Sequence, residues 1–299
     1  MTQRDARADE PQQETLTWQW QGQIIEVGVT RQGRGPTVLL LPALSTISTR
    51  FELAALQARL AERFHTVAVD WPGFGDRPRP FVDWNAGILV QFLRHVLDEV
   101  VFMPEAIIAA GHGAGLVLKH LKDEGSAAPR LALIAPTWRG PLPTALGERK
   151  PWFGHVRYWV DRPLLGQAAY RLNVSDMMLK RMTSGHVYAD TSWLSGERLQ
   201  AKRRITRVAG ARHASVRFVT GGLDPFRERT AFVDALRGKA IDTLLITTEQ
   251  MPPRSRAEMN ALATLPRVEA VQLPRGKLAV HEEYPADVAE AILEWWDRA

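Results

Sequence analysis

The sequence contains no cysteine and no long apolar run. The 299-residue chain therefore has no disulfide, no thiol nucleophile and no zinc site built on cysteine ligands. None of its apolar stretches approaches the eighteen or so residues that a membrane-spanning helix requires. We therefore expect a protein of a reducing compartment, the cytoplasm, that has no membrane as its partner.

Aromatic residues are missing from the most basic part of the chain. The net charge is +5, and the densest basic segment is Lys202-Arg203-Arg204, continuing through Arg207, Arg212 and Arg217. Nucleic-acid surfaces of this kind interleave aromatic residues for base stacking, so we interpret the segment as a solvated basic face and expect no nucleic-acid partner. The histidines show no metal-ligand spacing with carboxylates, and we expect neither a metal site nor a cofactor.

The regular elements alternate along most of the chain. Residues 1–14 are polar and predict a disordered tail, and the period-two pattern of residues 16–29 predicts an antiparallel hairpin. Apolar strands and amphipathic helices then follow in turn, which is typical of an α/β protein with a mostly parallel sheet. The first of the helices, at about 50–62, has Phe51, Leu53, Leu56 and Leu60 as its apolar positions. Strands are predicted at 37–41, 66–70, 106–108, 131–135, 216–220, 242–247 and 268–273.

One segment interrupts this alternation. Residues 141–213 are rich in proline, tryptophan, tyrosine and methionine, and their period is mostly helical. The segment therefore separates two parts of the α/β core, residues 15–140 and 214–299.

Two glycine-rich segments follow predicted strands. The first is Ala109-Ala110-Gly111-His112-Gly113-Ala114-Gly115, which has the order of a strand, a tight turn and a helix. The second is Asp70-Trp71-Pro72-Gly73-Phe74-Gly75. Together they resemble the G-x-S-x-G nucleophile elbow and the D-x-P-G-x-G segment of the α/β-hydrolase superfamily. The resemblance covers residues 16–298 and implies an α/β-hydrolase fold, with residues 141–213 inserted into its core domain as a helical cap.

The resemblance also assigns positions to the family's catalytic triad. Gly113 stands at the serine position, and Lys277 stands where the family has histidine. The acid position has two alignments. If residues 242–247 form the preceding strand, the acid position is Met251, with Glu249 two residues away. If Gly221-Gly222-Leu223-Asp224 is the equivalent segment, Asp224 supplies the acid.

Other residues are placed at the site by the same resemblance. Pro42-Ala43 replaces the family's His-Gly pair, which leaves the backbone N–H of Leu44 as the candidate oxyanion donor. Ligands of parallel sheets bind beyond the carboxyl ends of the strands. The candidate ligand-binding residues are Leu44, Ser45, His112, Gly113, Ala114, Trp138, Arg139 and His281.

Two of these candidates have alternative roles. His112 has a core-packing role as its alternative, and His281 has a packing role at a helix start. Ser45 with Lys277 as its base would form a Ser-Lys dyad.

These positions predict a degenerate triad and a change of function. We expect a pseudoenzyme that binds a small carbonyl or carboxylate ligand without serine-hydrolase activity, with a small molecule as its partner and a homodimer left open. The alternative is an enzyme with nucleophile-free chemistry, a lyase, a decarboxylase or a water-mediated hydrolase. In that case Lys277 and Asp224 would be the catalytic residues, acting with the oxyanion hole.

Overall fold

An eight-stranded sheet forms the centre of the computed structural model, which describes residues 10–125 and 127–298. The strand order is β1-β2-β4-β3-β5-β6-β7-β8; β2 pairs antiparallel with both β1 and β4, and the remaining pairs are parallel. This is the α/β-hydrolase fold that the sequence predicted. The strands are β1 Gln12–Trp20, β2 Gln23–Gln32, β3 Thr37–Leu41, β4 His65–Val69, β5 Ala106–Ala110, β6 Arg130–Ile134, β7 Asp242–Thr248 and β8 Val268–Leu273.

Helices cover both faces of the sheet. Alternate residues of the central strands pack on opposite faces, so that Leu39 and Leu41 contribute to one core and Val38 and Leu40 to the other. The helices are α1 Ala54–Leu60, preceded by a 3-10 turn Arg50–Leu53; α2 Ala86–His95, continued by a π turn Val96–Val100; α3 Gly111–Glu124; α4 Pro141–Leu146; α5 Phe153–Asp161; α6 Pro163–Asn173; α7 Asp176–His186; α8 Gly196–Thr206; α9 Ala211–Val219; α10 Arg229–Asp234; α11 Pro253–Ala263; α12 Val280–Glu283; and α13 Pro285–Arg298.

The helical segment between β6 and β7 contains α4 to α9, which we call the cap. The predicted strand at 216–220 is wrong, because these residues belong to α9 and the turn that follows it. His213 Nδ1 and Arg217 Nη2 lie 2.7 and 2.9 Å from the carboxylate oxygens of Asp161. Only helical spacing brings residues four apart onto one carboxylate, so this buried polar cluster overrides the β-propensity of the run.

The N-terminal prediction needs a second correction. Residues 1–9 of the predicted tail lie outside the described residues, but β1 already begins at Gln12. Glu14 pairs across the hairpin with Val29, and its carboxylate lies 3.1 Å from Arg31 Nε. Strand pairing and a cross-strand ion pair thus order polar residues that have little apolar surface to bury.

The first helical segment buries an unexpected face. Phe51 is 41% exposed, whereas Arg50 and Glu52 are 1% and 6% exposed. Arg50 Nη1 lies 2.5 Å from Asp70 and 2.8 Å from Asp76, so tertiary ion pairs fix the rotation of this segment. The apolar assignment of Phe51 was therefore wrong, because hydrophobicity alone does not reveal a buried charge with a partner.

The basic segment is not uniformly solvated either. Lys202 and Arg217 are 7% and 5% exposed, and each is paired with a carboxylate. The prediction of a solvated basic face is therefore wrong for these two residues. Within residues 10–125 and 127–298, the helices are too short or too polar to cross a membrane.

Candidate functional site

The strand-to-helix turn after β5 lies two residues earlier than the motif predicted. Strand β5 ends at Ala110, and Gly111 takes the left-handed φ of +51°, whereas Gly113 lies inside α3. An elbow nucleophile occupies the sharp turn itself. The residue at the turn is therefore Gly111. Glycine thus occupies both the turn seen in the structure, at 111, and the serine position that the motif indicates, at 113.

The segment after β3 lies close to both glycines, with a backbone oxygen at Gly113 and a side-chain methyl group at Gly111. A Cβ added to Gly113 would lie 2.5 Å from the carbonyl oxygen of Pro42, and that oxygen accepts a hydrogen bond of 3.0 Å from Trp71 Nε1. A Cβ on Gly111 would lie 3.0 Å from the Cβ of Ala43. The start of α3 consequently packs directly on the segment that follows β3.

A buried carboxylate accepts a hydrogen bond from the backbone N–H of the neighbouring residue Ala43. The Ala43 N–H donates to Glu52 Oε1 at 2.6 Å, and His281 Nε2 lies 3.2 Å from the same oxygen. His281 is 1% exposed, and within the described chain its Nδ1 is buried without a hydrogen-bond partner. The structure thus brings together a Glu52–His281 pair and Ala43, beside the predicted donor Leu44.

The charges around Glu52 favour its ionised form. Burial alone would raise the pKa of Glu52, but His281, Lys202 and the hydroxyl of Ser48 outweigh it and hold the pKa below its ordinary value of 4.5. Ser48 Oγ in turn lies 2.7 Å from the hydroxyl of Ser45. The predicted ligand residue Ser45, which is half-buried, therefore belongs to this polar cluster.

Carboxylates of α12 hold the cap over this cluster by bonding to cap residues. Lys202 Nζ lies 2.9 Å from Glu282, and the hydroxyl of Tyr188 donates to Glu282 at 2.8 Å. Glu283 accepts backbone hydrogen bonds of 2.8 and 2.9 Å from residues 189 and 190. These bonds fix the cap directly above the Glu52–His281 pair.

Lys277 has a different position from the one expected of a catalytic amine. Its Nζ donates to the carbonyl oxygens of Ser184 at 3.1 Å and Gly185 at 3.4 Å. These carbonyls belong to the last turn of α7, where backbone acceptors lack helical partners and a positive charge is favourable. Lys277 thus attaches the cap to the loop after β8.

Asp224 and His112 lie in a second cluster. Asp224 accepts a hydrogen bond of 2.8 Å from the Gly140 N–H and pairs with Arg149 Nη2 at 3.0 Å. His112 Nε2 donates to the carbonyl of Leu223 at 3.1 Å and lies 4.0 Å from Asp224. Burial lowers the pKa of His112 and favours the neutral ring. Both side chains therefore tie the 221–224 turn to the elements around it.

The remaining predicted residues are mainly core or surface contacts. Leu44 and Ala114 are buried in the main apolar core. Trp138 packs against Phe232 with ring centroids 6.2 Å apart, and Arg139 lies over the Trp138 ring. Among the predicted residues, Ser45 and His281 thus belong to the Glu52–His281 cluster and His112 to the region around Asp224, whereas Leu44 and Ala114 are core residues.

The acid position of the first alignment, Met251, and the neighbouring Glu249 are also placed by the structure. Strand β7 begins at Asp242 and ends at Thr248, as the first alignment required. Met251 is buried in a small apolar cluster with Ala135 and Met259, and Glu249 is exposed. Neither residue has a contact with His281 among those of the described chain.

Sequence reasoning missed Glu52, Lys202 and Tyr188. Glu52 lies in the first turn of a helical segment with no motif around it, and Lys202 was read as part of a basic run. The resemblance gave a role to neither residue. No group of three histidine and acidic residues able to hold a metal occurs within residues 10–125 and 127–298.

The fold and the two clusters at the carboxyl ends of the strands define an α/β-hydrolase-type protein. A model of the alpha/beta hydrolase family matches residues 38–291, and the chain belongs to that family. No curated protein matches the chain in sequence.

Similar solved structures agree on the fold. Cfl2 of Burkholderia cenocepacia has a TM-score of 0.70 at 19% identity, covering 95% of both chains. The epoxide hydrolase CorEH has a TM-score of 0.71 at 18% identity, covering 96% of this chain and 99% of its own. The haloalkane dehalogenase DatA of Agrobacterium tumefaciens has a TM-score of 0.71 at 16% identity, covering 97% and 98%. At these identities the likeness concerns the fold alone.

Proposed function

We propose that this chain binds a small carbonyl or carboxylate ligand beneath the cap and forms no covalent acyl-enzyme. The observation that carries the proposal is the closed elbow. Glycine occupies positions 111 and 113, and the Pro42 carbonyl fills the space that a side chain at position 113 would need. A covalent route needs an oxygen nucleophile at this turn and a free oxyanion donor beside it.

The donor beside the turn also supports this proposal. The N–H of Ala43 is engaged by Glu52, whose pKa is held below the ordinary value so that it is ionised at neutral pH. A developing oxyanion at the next N–H, that of the predicted donor Leu44, would lie close to this carboxylate, whose negative charge opposes it. Stabilisation of a tetrahedral intermediate is therefore disfavoured, while reversible binding elsewhere beneath the cap is not.

A second candidate function is favoured by one further observation. The buried Nδ1 of His281 has no partner within the described chain, while Glu52 holds Nε2 on the other side of the ring. A carboxylate that orients an imidazole leaves the second nitrogen available to accept a proton. The alternative enzyme would then use Glu52 and His281 for proton transfer, in place of Lys277, whose amine bonds the end of α7.

Two measurements test the leading proposal. Intact-mass analysis after treatment with a fluorophosphonate should show no adduct on the wild-type chain. Titration with pyruvate, acetoacetate and methyl acetoacetate should show saturable binding of at least one compound. Binding should weaken in Ser45→Leu, which places bulk beside the cluster, and should be unchanged in the matched surface variant Thr191→Leu.

The same compounds separate the two candidates. Stoichiometric fluorophosphonate labelling at a serine would overturn the leading proposal. Turnover of acetoacetate or of methyl acetoacetate that is lost in His281→Gln, and kept in Lys277→Met, would establish the second candidate instead.

A further inference from the structure

Arg79 is a buried cation whose hydrogen-bonding capacity is largely unused. The residue is 3% exposed, and its Nη2 donates to the carbonyl oxygens of Gly75 and Ile205. Its Nε and Nη1 are buried without a hydrogen-bond partner in the described chain. An arginine side chain carries five N–H donors and no acceptor, so an unpaired edge in the interior is costly unless something accepts from it.

The acidic residues nearest to Arg79 are already balanced by other arginines. Asp70 is paired with Arg50, and Asp76 is paired with both Arg50 and Arg77. Two carboxylates therefore face two guanidinium groups in this cluster, and Arg79 remains as an additional positive charge. Burial lowers the pKa of Arg79, and the nearby Tyr170, Asp70 and Asp76 oppose this only in part.

The other polar groups around Arg79 are uncharged donors. The Tyr170 hydroxyl, on a residue that is 5% exposed, has the Ser215 hydroxyl and the Arg79 guanidinium as its neighbours and makes no well-formed hydrogen bond. On the loop that leads to Arg79, the indole of Trp84 lies against Gly73, and its Nε1 is buried without a hydrogen-bond partner among the described residues. One cation with neutral donors around it suits a ligand with a single negative charge.

The position of Arg79 places it on the seam between the core loop and the cap. Its backbone N–H donates to the carbonyl of Ala209 at 2.9 Å, and a Cβ at Gly210 would overlap the Arg79 carbonyl. Gly210 has a φ of +77°, a conformation that favours glycine, so the turn before α9 can close tightly over the loop. The cap thus holds Arg79 away from solvent without giving it a counter-ion.

We infer that Arg79, with Tyr170 beside it, forms a binding site for the carboxylate of a small organic acid, between the 70–79 loop and helices α6 and α9. This rests on the proposed function and specifies the ligand class. A monocarboxylate would neutralise the extra positive charge and accept from Nε or Nη1. A phosphate dianion would leave an excess negative charge in the interior, next to Asp70 and Asp76.

The test compares carboxylates with amides of the same shape. We would titrate wild type with acetate, propionate and benzoate, with acetamide, propionamide and benzamide, and with inorganic phosphate, and follow thermal unfolding and tryptophan fluorescence. Carboxylates should raise the unfolding midpoint in a saturable manner, because a ligand that binds only the native state stabilises it. The amides and phosphate should produce no saturable shift.

Three variants assign the effect to Arg79. Arg79→Met should weaken carboxylate binding by about 10- to 100-fold, the loss expected for a charged hydrogen bond. Arg79→Lys should retain part of the affinity, and Arg171→Met, which removes an exposed arginine at the end of α6, should leave it unchanged. Without ligand, Arg79→Met should be at least as stable as wild type, because it removes an uncompensated buried charge.

Each remaining outcome overturns the inference. Equal stabilisation of wild type and Arg79→Met, equal effects of acids and amides, or no effect of any carboxylate would exclude this site. A ligand-free Arg79→Met that is strongly destabilised would show that the guanidinium is a structural group. Binding of methyl acetoacetate that is unaffected by Arg79→Met would leave the proposed function standing, whereas fluorophosphonate labelling would remove the proposed function itself.

Discussion

Adding a side chain at Gly113 should destabilise the protein and should not restore a nucleophile. The Cβ of Gly113→Ala would lie 2.5 Å from the Pro42 carbonyl oxygen, which the Trp71 indole holds in place. Overpacking of this kind costs about 1 to 3 kcal/mol. The better helix propensity of alanine returns up to about 1 kcal/mol.

The expected net loss for Gly113→Ala is therefore about 0 to 3 kcal/mol, a fall of up to roughly 5 °C in the unfolding midpoint for a chain of this size. Gly185→Ala is the matched control, because Gly185 also lies in a helix and its Cβ would have no neighbour within 4 Å. This control should be neutral or more stable by up to about 1 kcal/mol. Thermal and urea unfolding measure both variants.

Gly113→Ser extends the same experiment to chemistry. It should be destabilised like Gly113→Ala and should remain unlabelled by a fluorophosphonate, because residue 113 lies in regular helix and faces the Pro42 carbonyl. If Gly113→Ala were as stable as Gly185→Ala, or if Gly113→Ser were labelled stoichiometrically, the elbow would be open and our argument for non-covalent binding would be refuted.

Three further variants test the charged clusters. The folded-state pKa of Glu52 lies below 4.5, so its contribution to stability is present above that pH and is lost as the pH falls through the folded value. In urea unfolding between about pH 6 and pH 3, Glu52→Gln should therefore lose less stability on acidification than wild type does. Arg217→Met should cost about 3 kcal/mol in urea unfolding, because it leaves Asp161 without its guanidinium partner, and a cost near zero would contradict the ion-pair argument. Lys277→Met should cost about 1 kcal/mol and leave the affinity for acetoacetate unchanged, whereas a lost affinity in calorimetry would place the amine in the ligand site.

The fold followed from local patterns that persist in the tertiary structure. The apolar runs that predicted β3 to β7 are buried because each lies inside a sheet covered by helices, whereas the edge strand β8 is largely exposed. The Asp70-Trp71-Pro72-Gly73 segment and the glycine turn after β5 added family signals, which the match over residues 38–291 confirms. Periodicity and turn chemistry are short-range properties, and a single sequence contains them.

The candidate site was only partly predictable. Ser45 and His281 were identified from the sequence, but Glu52, which links His281 to the backbone after β3, was missed. The register of the elbow was also misplaced, because the motif indicates Gly113 whereas the positive φ falls at Gly111. Which of several glycines takes the turn depends on where the strand stops pairing, and this is a property of the sheet.

The sequence by itself determined the alternation of strands and helices, the glycines at the elbow and the absence of a thiol. Only the tertiary structure decided which charges meet: Glu52 with His281, Lys277 with the end of α7, and Arg79 with no carboxylate of residues 10–125 and 127–298. These pairings join residues as far as 229 positions apart. Local propensity carries no information about such distances, because burial and ion pairing arise only when the cap and the sheet pack together.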